Sequence, residues 1–180
     1  MKKILLTFLT CILLCACDMI DSPTMKVQQY LNDFNNLNET VVEDMESSII
    51  EENLSSDNTS IYREVLTRQY KDLRYEIVDE TINDDKATVK AKVTVYDLYN
   101  SNKQSETYMN EHQDEFMDTE NVFDQESYMK YRLDEMLKTT NTITHEVTFN
   151  LTKIEDEWVI DDIDRETLEK IHGLYDYNIG

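Results

Sequence analysis

Few residue types in this 180-residue chain could do covalent or acid–base chemistry: three histidines, three cysteines, and 38 Asp and Glu set against 17 Lys and Arg. His145 is the one candidate general base. It alternates with Val147, Phe149 and Leu151 in a strand-like stretch, so its imidazole shares their inward face, where burial lowers a histidine pKa. Proton abstraction needs an acid beside such a base, and Glu146 points to the opposite face of the same strand. A single inward histidine without a located acid reads more simply as a core or rim residue bonded to a tyrosine or a carbonyl. His112 and His172 fall in helix-like segments at partly exposed positions, and three scattered histidines lack metal-ligand spacing. The clusters Asp79-Glu80, Asp84-Asp85 and Asp161-Asp162-Ile163-Asp164 offer hard oxygen ligands, but none has the spacing or glycine of a calcium loop. Turns, a helix cap and solvated surface account for them. The two glycines, Gly173 and Gly180, leave no phosphate-cradling loop, so no nucleotide cofactor or metal is expected.

The cysteines point to a different chemistry. Lys2 and Lys3 precede an apolar run over residues 4–14, too short to span a bilayer as a helix of ~20 residues. The run ends in Leu14-Cys15-Ala16-Cys17, which resembles a bacterial lipobox. In the resemblance Leu14 takes the branched apolar position, Cys15 the tolerant one and Ala16 the small one, and Cys17 is the cysteine that is diacylated before cleavage ahead of it. This implies a signal peptide over residues 1–16, a lipidated cysteine and short tether over 17–22, and one domain over 23–180 held at the outer face of the cell membrane. Without Lys2 and Lys3 the cations fall to 15, and 15 − 38 gives a mature charge of −23. So acidic a surface argues against nucleic acid as a partner and against an electrostatic grip on anionic lipid. Cys11 and Cys15 would leave with the signal, so no disulfide framework or thiolate metal site is expected. Stability must come from a packed core, which 40% apolar and 9% aromatic residues can supply.

The elements that would position these residues follow from periodicity. Ser22 and Pro23 read as N-cap and first turn of a helix whose stripe is Val27, Tyr30, Leu31, Phe34, Leu37 and Val41. Asn38 can cap a second helix through Val42, Met45, Ile49 and Ile50; residues 51–58 read as a polar loop, and residues 60–71 as a third helix. The period then changes to two. Leu73, Tyr75 and Ile77, and after Asn83-Asp84-Asp85 the series Val89, Ala91, Val93 and Val95, predict a hairpin with its second strand over residues 87–99. Residues 100–141 return to helical spacing, as one helix or as two broken near residues 118–124. A second hairpin runs through Ile143 to Leu151, turns at Glu155-Asp156 and returns on Trp158-Val159-Ile160; Asp164 caps a last helix stopped by Gly173. Tyr30, Tyr62, Tyr70, Tyr75 and Tyr108 lie on apolar stripes or faces and read as core. With one proline and no serine or glycine tract, nothing divides the chain.

Helices followed by hairpin, helical insertion and hairpin predict an α+β fold, N-terminal helices packed on a curved antiparallel sheet. The Ser22-Pro23 start running into Val27-Gln28-Gln29-Tyr30-Leu31, the strand over residues 87–99 and the Glu155-Asp156-Glu157-Trp158-Val159-Ile160 ending are similar to the nuclear-transport-factor-2-like fold of small lipoproteins in low-GC Gram-positive bacteria. That resemblance implies a cone-shaped cavity, used by some relatives for catalysis and by others for binding. The leading expectation is a non-catalytic binding or accessory module at the cell surface, engaging a protein or small ligand. An extracytoplasmic enzyme with His145 as base is the alternative, and a structural part of an envelope assembly is the third.

Overall fold

A cap opens the first helix. Ser22, in extended backbone, accepts a hydrogen bond from the Met25 N–H at 3.2 Å, and Pro23 opens α1 (Pro23–Asn36). The computed structural model describes residues 21–178; the proposed lipobox, Leu14, Cys15, Ala16 and Cys17, and Gly180 lie outside them. Asp21, expected to belong to the short tether, is docked: its carboxylate accepts the Trp158 N–H at 2.7 Å and pairs with Lys26 at 3.1 Å.

Leu37 ends α1 in the left-handed region at φ 49°, and Asn38 caps α2 (Glu39–Glu51) by accepting the Val41 N–H at 2.9 Å. α3 (Ser56–Lys71) starts four residues before its predicted beginning, which corrects the loop over residues 51–58. Hydropathy hides those residues because they are polar. Ser55 is the cap, and the buried Asn58 donates its amide to the Glu126 carboxylate at 2.9 Å, so this first turn packs through a hydrogen bond.

Four antiparallel strands follow the chain order across one curved sheet: β1 (Arg74–Asn83), β2 (Lys86–Tyr96), β3 (Thr142–Ile154) and β4 (Glu157–Ile160). A bulge sits between Ile77 and Asp79 of β1. The β3–β4 turn places Glu155 and Asp156 at φ 50° and 69°, the primed geometry of two-residue hairpins. β2 stops at Tyr96, short of the predicted residue 99. The Asp97 side chain accepts the Asn100 N–H at 3.0 Å and opens α4 (Leu98–Glu111), so a cap interrupts what reads as strand. The insertion holds two helices. After a 3-10 turn at Gln113–Phe116, Asp118 turns the chain through bonds to the Glu120 and Val122 N–H groups, and Asp124 caps α5 (Gln125–Lys138). α6 (Arg165–His172) closes the domain, capped by Asp164 and ended by Gly173.

Strand alternation puts Val89, Ala91 and Val93 of β2 and Val147, Phe149 and Leu151 of β3 on the inner face, each 2% exposed or less. They pack against Val27 and Leu31 of α1, Leu66 and Tyr70 of α3, and Ile171 of α6. Full burial of such a side chain contributes about 1.5–3 kcal/mol. The concave face is therefore filled with side chains. α4 and α5 pack on the other side of α3, where Val65, Leu98, Leu133 and Met136 form a second core. Gln69 joins the layers. Its buried amide accepts the Tyr96 N–H at 3.1 Å and donates to the Tyr96 carbonyl at 3.3 Å, completing the end of β2 as a strand would.

Candidate functional site

β3 carries His145 where alternation expects it, opposite Val93 on the inner face and 8% exposed. Its ring packs edge-on to Tyr175 with centroids 5.6 Å apart. Burial, reinforced by the charge of Lys170 and opposed by Asp97, holds its pKa below 6.5. Among the described residues no carboxylate hydrogen-bonds to the imidazole; Asp97 acts on it only through its charge. His112 lies apart, stacked on Tyr108 with its Nδ1 3.0 Å from the Tyr108 carbonyl oxygen. Tyr108, expected in the core, is instead half-buried, clustered with the half-buried Tyr131 and the buried Phe116, and donates its hydroxyl to Glu115. Tyr75 reaches the core rim with its ring and Asn32 with its hydroxyl.

Three carboxylates of the acid clusters are engaged in hydrogen bonds. Glu80 accepts the Thr24 N–H, Asp161 the Thr152 hydroxyl and Asp164 the Thr167 N–H. Among the described residues no group of three or more His, Cys, Asp or Glu converges as a metal site.

A groove of about 440 Å³ lies between α1, α2 and α6. The α1 stripe supplies Tyr30 and Phe34, α2 supplies Val41 and Met45, Tyr70 comes from the end of α3, and α6 closes it with Leu168 and His172. Edge-to-face contacts hold the aromatic wall rigid: Tyr30 on Phe34 at 5.4 Å and Phe34 on Tyr70 at 5.1 Å. Burial, with a smaller contribution from Asp44, pushes the Tyr30 hydroxyl up to about 12, and burial raises Tyr70 further. Both hydroxyls therefore stay protonated, and neither bonds to another described protein group. Asp33, Asp44 and Glu51 edge the groove, and among the described residues no lysine or arginine lines it. His172 stays neutral near pH 7 because burial lowers its pKa, with Glu169 opposing weakly.

The rings of Tyr30 and Tyr70 pack in the core as their stripe predicts; that both also line a groove does not follow from the stripe. The available signal was the amino-acid type: phenylalanine would serve a purely apolar stripe, and tyrosine there marks a face where the ring tip meets solvent or ligand. His172 gave no signal, since its role depends on α6 folding back over α1 and α3.

Lowered histidine pKa values make stability fall with acid. Above pH 6.5 both folded and unfolded states hold His172 neutral; below it the unfolded chain takes up a proton that the folded site resists, so stability is lost as pH falls through that window. His172→Gln is expected to flatten this part of the profile. Urea midpoints at pH 7.5 and 5.0 should show a smaller acid loss in the variant than in the parent; parallel losses would refute the assignment.

No protein-family model matches the chain, and no curated protein matches it. The chain is similar to a solved structure described as a "putative lipoprotein (ycdA)" from Bacillus subtilis, at 15% identity and a TM-score of 0.43. The match covers 83% of this chain and 47% of that one, so the chain spans about half the length of this neighbour.

Proposed function

We propose that this chain is a membrane-anchored extracytoplasmic lipoprotein that acts as a non-catalytic binding module. Cys17 carries the lipid, and the groove between α1, α2 and α6 takes a small ligand with an apolar body and a cationic group. The groove is the observation that carries this reading. Its floor is aromatic and aliphatic, its two tyrosine hydroxyls are neutral donors, and its charged edge is entirely carboxylate. Ligand sites are commonly apolar clefts with a few placed polar groups, and this one falls in their size range. A carboxylate edge favours cations and repels phosphate and other anions, in keeping with the acidity of the whole domain. His145 has no role in the proposal.

Octylamine and octanoate test it, since they share a chain and differ in head-group charge. Titrated against the full chain at pH 7.5 and followed by tyrosine fluorescence, octylamine is expected to bind at least about tenfold more tightly. Leu168→Trp, which fills the groove from a half-buried position, should weaken octylamine by a similar factor. Equal binding of the two probes, or octylamine binding unchanged by Leu168→Trp, would refute the proposal, the latter by showing attraction to the acidic surface alone.

A further inference from the structure

A second cavity, of about 490 Å³, shares no lining residue with the groove. The link after α2 contributes Glu52 and Leu54, α4 contributes Asn102, and α5 contributes Arg132, Leu133 and Met136; α6 and the residues after it close the other side.

The polar groups here are unevenly matched. Arg165 pairs with Glu169 at 2.7 Å, and Asp176 accepts the Asn178 N–H at 3.0 Å, so these lining charges are engaged. Arg132 is not. Its Nε is shielded from solvent without a hydrogen-bond partner, and no carboxylate among the described residues pairs with its guanidinium. The Asn102 Oδ1, an acceptor lining the same cavity, is likewise buried without a donor. A buried polar group left unmatched costs about 1–3 kcal/mol, more when charged. In a chain with 38 carboxylates a partner for one half-buried arginine is easily supplied, so its absence is informative. The cavity thus presents a forked cationic donor, a neutral acceptor and the Glu52 carboxylate around Leu54, Leu133 and Met136.

We propose that this cavity binds a free α-amino acid with an apolar side chain. The ligand carboxylate sits on the Arg132 fork, its ammonium faces the Asn102 carbonyl oxygen and Glu52, and its side chain lies on Leu133 and Met136. A guanidinium suits a carboxylate because two parallel N–H groups meet two oxygens. The ammonium supplies the donor that Asn102 lacks and neutralises Glu52, so one zwitterion answers Arg132, Asn102 and Glu52 together. A plain anion would leave Asn102 and Glu52 facing its negative charge. The proposal does not depend on the groove or on the lipid anchor.

Calorimetric titration of the full chain with leucine, leucinamide and N-acetylleucine tests it without any variant. Leucine is expected to bind, and each of the other two to bind at least about tenfold more weakly, one lacking the carboxylate and the other the ammonium. Arg132→Gln should abolish leucine binding, and Arg132→Lys, which keeps the charge but loses the fork, should weaken it. Absence of leucine binding up to millimolar concentration would overturn the proposal. So would leucinamide binding as tightly as leucine, because Arg132 would then read no carboxylate. Equal binding of N-acetylleucine would overturn the zwitterion and leave a simple carboxylate site.

Discussion

Gly173→Ala is expected to destabilise the domain by about 3–5 kcal/mol, a large effect for one methyl group. Two causes combine. Gly173 ends α6 at φ 73°, where an L side chain costs about 1–2 kcal/mol. An added Cβ would also lie 2.2 Å from the Tyr96 carbonyl oxygen and 2.3 Å from the Gln69 Nε2, distances that force something to move. What must move is the joint between the layers. Gln69 holds both backbone groups of Tyr96, and the Gly173 carbonyl accepts the Tyr99 N–H at 2.8 Å at the start of α4. Displacing these groups leaves buried donors and acceptors unpaired at about 1–3 kcal/mol each. A second substitution separates the causes. Asparagine tolerates left-handed backbone, so Gly173→Asn should be mild if φ alone matters; because its Cβ meets the same two atoms, it is expected to cost nearly as much as alanine. Denaturant midpoints for both variants decide this, and a Gly173→Asn chain close to the parent would show that the joint gives way easily.

The same joint marks the limit of what the sequence disclosed. Strand alternation in Val89 to Val95 and in His145 to Leu151 predicted the sheet and its inner face, because a period of two leaves one side to be buried. Caps were legible for a related reason: Ser22, Asn38 and Asp164 act on N–H groups three residues away, so the bond is written within one short segment. The errors fell where a polar residue does long-range work. Asn58 reads as loop until Glu126 is beside it, and residues 97–99 read as strand until Asp97 is seen capping α4. The two cavities belong to this second class. Tyr30 and Tyr70 meet His172 only because α6 returns across the helices, and Asn102 meets Arg132 only because α4 and α5 pack as neighbours. Periodicity assigns each residue to a face, but cavities arise where faces from distant segments fail to close. His145 shows the converse: its face was predicted correctly, yet among the described residues no carboxylate hydrogen-bonds to its imidazole, and periodicity along one strand does not report on such a partner.

Cys17→Ser is expected to move the protein wholly from the membrane to the soluble fraction and to remove the mass of the acyl chains. The expectation rests on how little else could hold the mature domain. Among the described residues no helix is long and apolar enough to cross a membrane, and a chain cleaved ahead of Cys17 as proposed would carry 15 − 38 = −23 and gain nothing from an anionic bilayer surface. A single myristoyl chain binds only marginally, whereas two chains anchor stably, so a diacylated cysteine would be sufficient as well as necessary. The docking of Asp21 would make the proposed attachment close. Its bond to the Trp158 N–H fixes the chain on β4 only four residues after Cys17, a reach of at most about 14 Å. The β3–β4 turn and the start of α1 would then lie nearest the bilayer. Hydrogen bonding to the Trp158 N–H, reinforced by Lys26, holds the Asp21 carboxyl below its ordinary pKa, so this clamp persists at any pH where the protein is folded near neutrality. Fractionation of cells carrying the parent and Cys17→Ser chains, with intact mass spectrometry of each, checks the anchor. A variant that stays with the membrane at the parent's mass would show that Cys17 is not lipidated and that another part of the molecule holds it there.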